Sequence, residues 1–139
     1  MSAAGRVLAL DHGAARCGVA LSDPSRTLAT ALTVVPRPDT RRGMAAVAGL
    51  VREHGVKQVV VGLPLGLSGQ DTAQTREARA FAAALAAKLP NVPVDLYDER
   101  FTTAIAARQA VDASDVGEDA RAAAVLLDDW LARHAEVAR

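Results

Sequence analysis

Acidic residues stand at three places that a folded chain could bring together. Asp11 follows the apolar run 7–10, the pair Asp98-Glu99 follows the strand pattern 94–97, and Asp119 stands at the head of the last helical pattern. Residues that end parallel strands meet at one edge of an open α/β sheet, where such sheets bind ligands. Clustered carboxylates are costly unless their charge is neutralised, and divalent ions that prefer oxygen ligands do this. The three acids therefore predict a metal-dependent site that acts on phosphate groups.

Each acid also has a purely structural interpretation. Asp11 belongs to an Asp-x-Gly pattern that is common in turns. Asp119 could serve only as a favourable negative charge at the start of a helix, and Glu99 could pair with Arg100. Neighbouring residues of a strand point to opposite faces, so at most one of Asp98 and Glu99 faces the site. The joint placement of the acids, more than any one of them, favours the metal site.

Other catalytic chemistries have little support in the sequence. His12 follows Asp11 but faces away from it in an extended chain, which predicts a packing or surface role. Cys17 is the only cysteine, so we expect neither a zinc ligand set nor an internal disulfide. A reducing compartment is the simplest expectation for such a chain. The loop 62–69 lacks the Gly-Lys-Ser/Thr of a Walker loop, and no Gly-x-Ser-x-Gly motif occurs.

The composition of the 139 residues indicates one globular domain, residues 1–139. Aromatic residues make up only 3%, which disfavours a surface that stacks nucleic-acid bases on aromatic rings. The formal net charge is +0, so contacts with a polyanion would depend on individual arginines. No run reaches the length of a membrane span and no secretory signal is visible, so we expect a soluble intracellular protein without membrane contact.

The predicted elements follow the order βββαβαβαα, which indicates a mixed α/β sheet with helices packed on it. Asp39 and Asp71, the latter with Gln74, are the expected N-caps of the first two helices. Five strands are predicted, at 6–10, 18–22, 27–35, 58–61 and 94–97. Helices are predicted from 39 to about 54, from 71 to 89, from about 102 to 110 and from 118 onward, with a loop at 111–117. The predicted buried face of the last helix comprises Ala123, Leu126, Leu127, Trp130 and Leu131.

Four motifs follow one another along almost the whole chain. They are Asp11-x-Gly13-x-x-Arg16-x-Gly18-Val19-Ala20, Gly62-Leu63-Pro64 with Gly69, Asp98-Glu99-Arg100-Phe101-Thr102-Thr103, and Asp119-x-x-Ala122-Ala123 with Leu126-Leu127. In this order they resemble the bacterial YqgF/RuvX family, described as Holliday junction resolvases and as pre-16S ribosomal RNA nucleases. His12 and Cys17 depart from the apolar residues common in that family, and neither departure touches the acids.

The resemblance implies a ribonuclease H-like fold with the sheet order 3-2-1-4-5, a cytoplasmic location and metal-dependent cleavage of nucleic-acid phosphodiester bonds. It carries the family's acidic residues onto Asp11, Glu99 and Asp119. We expect two Mg²⁺ or Mn²⁺ ions about 3.5–4 Å apart, with Asp11 between them and the other two acids each completing one ion's shell. In that strand order Glu99 starts two strands, roughly 10 Å, from Asp11, so it must lean inward.

Arginines are the expected phosphate ligands. Arg16 and Arg100 lie beside the motifs and are the strongest candidates, and Arg76, after the glycine-rich loop, is a weaker one. Backbone amides of the loop from Gly62 to Gly69 are further candidates.

Nucleic acid is the expected partner, and the preferred function is processing of the 5′ end of pre-16S rRNA. A chain without net charge has little electrostatic attraction for a large four-way DNA junction, which favours the RNA substrate. A Holliday junction resolvase is the alternative, and it would require a homodimer with two active sites. Two other classes stay open, a non-catalytic RNA-binding factor and an ATPase module of the actin/hexokinase type, which normally needs two such domains.

Overall fold

Five strands form one mixed sheet in the computed structural model, which describes residues 5–99 and 116–135. The strands are β1 (Val7–Asp11), β2 (Arg16–Ser22), β3 (Ala29–Pro36), β4 (Gln58–Leu63) and β5 (Val94–Asp98). The helices are α1 (Arg41–Glu53), α2 (Ala73–Lys88) and α3 (Val116–Ala135). All five predicted strands are confirmed, with ends that differ by no more than about two residues.

The strands lie in the order β3-β2-β1-β4-β5, as the family resemblance implied. β1, β2 and β3 form an antiparallel meander. β4 runs parallel to both β1 and β5. The carboxyl ends of β1, β4 and β5 therefore emerge at one edge of the sheet, which is where ligands bind in folds of this kind.

β1 is the central strand and is buried along its whole length. Leu8 and Leu10 belong to the core on the side of α1 and α2. Val7 and Ala9 belong to the core on the side of α3. Because successive side chains of a strand alternate between faces, Asp11 points to the face that α3 covers. The alternation thus directs the first acid toward the helix that carries Asp119.

The N-cap of α1 is Thr40, so the prediction of Asp39 is wrong by one residue. The hydroxyl oxygen of Thr40 accepts a hydrogen bond from the amide of Gly43 at 3.0 Å. Asp39 instead accepts a hydrogen bond from the His12 ring at 2.9 Å. Because Asp39 binds His12, the neighbouring Thr40 caps the helix in its place. Threonine is also a favourable N-cap residue.

The N-cap of α2 is likewise one residue later than predicted. Thr72 and Thr75 form a capping box, in which each side-chain oxygen accepts the other's backbone amide. Thr75 is fully buried and also donates to the carbonyl oxygen of Pro64 at 2.5 Å, which ties the helix to the loop after β4. Asp71 pairs with Arg79 at 2.9 Å instead of capping the helix.

α3 begins at Val116, so the loop predicted at 111–117 is wrong for its last two residues. The remainder of that loop and the short helix predicted at about 102–110 lie outside the described residues. The buried face of α3 is confirmed, with Ala123, Leu126, Leu127, Trp130 and Leu131 in one core cluster. Within 5–99 and 116–135, none of the helices combines the length and apolar character that a membrane span requires.

Candidate active site

A row of three residues across the sheet forms the floor of the candidate site. Asp11 pairs with Gly18 of β2. On its other side, Leu10 pairs with Val61 of β4, so the next position sets Asp11 beside Gly62. A residue without a side chain therefore flanks Asp11 on each neighbouring strand. We call Gly18, Asp11 and Gly62 the central row.

Gly18 allows α3 to rest directly on the sheet. A Cβ atom at this position would lie 2.0 Å from the carbonyl oxygen of Asp119 and 2.5 Å from its carbonyl carbon. Both distances are far inside van der Waals contact. The first turn of α3 thus touches the backbone of β2 next to Asp11. As a result, Asp11 and Asp119 line the same pocket.

Gly62 makes room for Glu99 on the other side of Asp11. A Cβ atom on Gly62 would lie 2.8 Å from Oε2 of Glu99 and 3.0 Å from its Cδ and Cγ. Val60 packs on the α3 side, so Gly62, two residues later, opens on the same face as Asp11. The Glu99 carboxylate therefore lies over Gly62 of β4, on the face of the sheet to which Asp11 points.

Glu99, and not its neighbour, is the acid that turns inward at the end of β5. Its side chain is buried, whereas Asp98 keeps partial exposure. This agrees with the expectation that at most one of the two acids faces the site. Glu118, in the first turn of α3, is a further buried acid that the sequence did not single out.

A pocket of about 250 Å³ lies at the end of β1. At about 30 Å³ per water molecule, this volume could hold roughly eight waters, or a hydrated ion together with a phosphate group. Within the described residues, no three His, Cys, Asp or Glu side chains stand together as a ready-made metal site. The lining residues are Asp11, His12, Gly13, Ala14, Ala15, Arg16 and Asp119, and Glu99 is not among them.

Arg16 brings a positive charge into this pocket. Its Nη1 atom lies 3.7 Å from Oδ2 of Asp119, with 41% of the Arg16 side chain and 23% of the Asp119 side chain exposed. At such exposure an ion pair is worth at most about 1 kcal/mol. The guanidinium therefore remains open to a ligand. Of the other predicted phosphate-binding arginines, Arg76 is exposed on α2 and Arg100 lies outside the described residues.

Burial and nearby negative charges raise the pKa of Cys17 in β2. Burial raises the pKa of its thiol far above the usual range, and the charges of Asp11, Asp39 and Asp119 raise it further. A thiol held protonated in this way is a poor nucleophile and a poor metal ligand. Cys17 is therefore a core residue, and both site carboxylates lie near it.

His12 packs on the face of the sheet opposite to Asp11, as predicted. Its side chain is only 3% exposed, and its ring packs against Phe81 of α2 with a centroid distance of 4.8 Å and a tilt of 34° between the rings. Its Nε2–H donates to the Asp39 carboxylate. These contacts tie the end of β1 to α2 and to the turn that precedes α1. The pairing of His12 with Asp39 had no signal in the sequence, because the two residues are 27 positions apart.

The loop after β4 uses several of its backbone amides internally. The amide of Gly66 donates to the carbonyl of Gln70, and the amide of Gly69 donates to the carbonyl of Gly66. The amide of Ser68 donates to the side chain of Gln70. Gly69 has a φ of +87°, which glycine adopts without strain. Phosphate binding through these amides would require the loop to open, and it stays a prediction.

Comparison with known proteins assigns the chain to a family. A family model described as "RuvX: Holliday junction resolvase" matches residues 5–133. The chain belongs to the RuvX family. A relative from Anaeromyxobacter sp. (strain Fw109-5) is 43% identical over 137 residues, which covers 94% of this RuvX chain and 99% of the relative. Another from Chloroflexus aggregans is 42% identical over 132 residues, covering 90% and 92%. Both relatives carry the name "Putative pre-16S rRNA nuclease".

Solved structures of low sequence identity share the fold of this RuvX family member. Thermus thermophilus RuvC, in complex with a Holliday junction substrate, matches with a TM-score of 0.60 and 19% identity over 95% of this chain and 96% of that one. The yeast mitochondrial Holliday junction resolvase Ydc2 matches with a TM-score of 0.57 and 12% identity, covering 99% and 82%. The expected ribonuclease H-like fold is therefore confirmed.

Proposed function

We propose that this RuvX family member is a divalent-metal-dependent nuclease that processes the 5′ end of pre-16S rRNA in the cytoplasm. The observation that carries the proposal is that Asp11 and Asp119 line one pocket at the end of β1, while the side chain of Glu99 lies against the neighbouring Gly62. The names of the relatives from Anaeromyxobacter and Chloroflexus support the same RNA substrate.

The residues around the central row suit Mg²⁺ or Mn²⁺. Hard divalent ions prefer carboxylate oxygens, and this site offers carboxylates while its one thiol is buried and protonated. Gly18 and Gly62 leave the space through which the other two acids approach Asp11. Asp11, Glu99 and Asp119 are the residues that would hold two such ions. Such ions, when bound, polarise the phosphoryl group and lower the pKa of the attacking water.

The protein's own groups orient the substrate and the acids. Asp11 is 6% exposed and ends a strand fixed on both sides, so its carboxylate loses little freedom when it binds an ion. Arg16 lies beside the acids and is the nearest described cation to hold a backbone phosphate. Arg76, Arg100, Gly62 and Gly69 are the other residues that we propose as contacts to nucleic acid.

A cleavage assay on two substrates tests the proposed function. The purified protein is incubated with Mg²⁺ or Mn²⁺ and either an RNA fragment that spans the 5′ leader of 16S rRNA or a four-way DNA junction. We expect metal-dependent cleavage of the RNA at the leader boundary. Symmetric cutting of the junction by a homodimer would instead favour the resolvase activity in the description of the family model. The absence of cleavage of either substrate with both ions would contradict a nuclease.

Gly62→Ala tests whether the position of Glu99 matters for cleavage. The added methyl group would displace the buried side chain of Glu99, so the free energy of unfolding should fall by about 1 kcal/mol, the lower end of the usual cost of overpacking. A displacement of about 1 Å at a catalytic group can cost about 10²-fold in rate, so we expect cleavage to fall by about 10- to 100-fold. Urea denaturation and initial cleavage rates measure the two effects. A wild-type rate in the folded variant would show that Glu99 need not occupy this space.

A further inference from the structure

Arg16 and Asp119 form a weak ion pair at the place where a divalent ion is proposed to bind. The distance of 3.7 Å between Nη1 of Arg16 and Oδ2 of Asp119 is longer than that of a hydrogen bond. The contact is therefore an electrostatic attraction without a hydrogen bond. Both side chains retain exposure, so solvent screens that attraction. The pair can therefore separate at small cost.

A bound ion and the Arg16 guanidinium would compete for the same carboxylate. Mg²⁺ binds carboxylate oxygens at about 2.0–2.1 Å, which is much closer than Arg16 approaches Asp119. Two cations on one carboxylate repel each other at this range. Arg16 and Asp119 also line the same pocket, so the displaced guanidinium has open space beside it.

We infer that Arg16 is an exchangeable counter-ion of Asp119, which neutralises the carboxylate before a divalent ion binds and is released toward substrate phosphate when the ion arrives. The inference rests on the proposed function, because it takes Asp119 as an ion ligand. It adds a coupling between ion binding and nucleic-acid binding, because the ion releases Arg16, which then holds a phosphate group of the nucleic acid.

The exchange predicts positive coupling between ion and nucleic acid. Phosphate that engages Arg16 withdraws it from Asp119, which makes the carboxylate more available to the ion. By thermodynamic linkage, the ion must strengthen phosphate binding to the same degree. The fixed position of Asp119 supports this exchange, because the contact of its backbone with Gly18 holds α3 in place while the arginine moves.

Mn²⁺ binding without nucleic acid provides the first test. Dissociation constants are measured by electron paramagnetic resonance for the wild type, Arg16→Gln, Arg16→Lys and Arg79→Gln. The control Arg79→Gln removes the same charge from an exposed pair with Asp71, and neither of those residues lines the pocket. We expect Arg16→Gln to bind Mn²⁺ about two- to fivefold more tightly, the range that a weak exposed pair allows. Arg16→Lys, which keeps the charge, and Arg79→Gln should stay near the wild type.

The side-chain signal of Arg16 provides a second test that needs no variant to fold. In ¹⁵N-labelled wild type, saturation with Mg²⁺ should shift the Nε–H resonance of Arg16 and leave that of Arg79 in place. An unmoved Arg16 signal, or Mn²⁺ affinity in Arg16→Gln that is equal to or weaker than wild type, would overturn the exchange. Equal tightening in Arg16→Lys would also overturn it, because the charge would then not be the cause.

Asp119→Asn separates failure of this inference from failure of the proposed function. If Mn²⁺ binding is lost in Asp119→Asn but Arg16→Gln shows no tightening, the ion ligand stands and only the exchange is overturned. If Asp119→Asn binds Mn²⁺ as tightly as wild type, the proposed metal site and the exchange both fail.

Discussion

Asp11→Asn is expected to reduce phosphodiester cleavage by about 10³-fold or more while the protein remains folded. Loss of one group that stabilises transition-state charge already costs about 10²- to 10³-fold. Loss of the Asp11 carboxylate should lower the rate by at least the upper end of that range, because Asp11 is the ligand expected for both ions. The measurement is the initial cleavage rate of the RNA fragment at saturating Mn²⁺.

The stability of Asp11→Asn is the control for this loss. Asparagine has nearly the shape of aspartate, and it removes one of the negative charges that gather near Asp119. The midpoint of thermal unfolding without metal should therefore stay the same or rise, since like charges that are close destabilise one another. A variant that melts as the wild type does and still cleaves at a comparable rate would remove Asp11 from the mechanism.

Gly18→Ala is expected to lower both stability and activity. Its Cβ atom would lie 2.0 Å from the backbone carbonyl oxygen of Asp119, and backbone cannot swing aside as a side-chain end can. Overpacking of this kind costs about 1–3 kcal/mol of unfolding free energy. Because α3 must shift, Asp119 moves away from Asp11, and cleavage should fall by about 10²-fold.

Gly49→Ala is the matched control for Gly18→Ala. Gly49 lies inside α1, and a Cβ atom there would meet nothing within 4 Å. Alanine should stabilise the helix by about 0.5–1 kcal/mol and leave cleavage unchanged. Urea denaturation of both variants, with cleavage assays on each, checks the pair. Equal stability of Gly18→Ala and wild type would contradict the direct contact between α3 and β2.

The central strand and its acid could be predicted from the sequence because the controlling pattern is local. Apolar residues in β1 mark a strand buried on both faces, and Asp11 stands out as the charge that ends it. The face to which Asp11 points then follows from alternation. The strand order came from motifs shared with a family, since local patterns do not determine which strands become neighbours.

The helix starts and the roles of the glycines could not be predicted, because distant residues decide them. Asp39 and Asp71 are good N-caps by residue type, yet His12 and Arg79 bind them instead. A glycine inside a strand signals that something approaches closely. That signal does not name the approaching group, which is a helix backbone at one position of the central row and a carboxylate at the other.

The proposed site is complete only when α3 is packed on the sheet, because α3 carries Asp119. Asp11 lies near the beginning of the chain, and α3 lies near its end. Contacts between residues so distant in sequence form late, because closing a long segment of chain is entropically costly. A polypeptide that is still being synthesised contains Asp11 before it contains Asp119. A chain whose α3 has not yet docked would therefore lack one of the three proposed ion ligands, and under the proposed mechanism it should not cleave RNA.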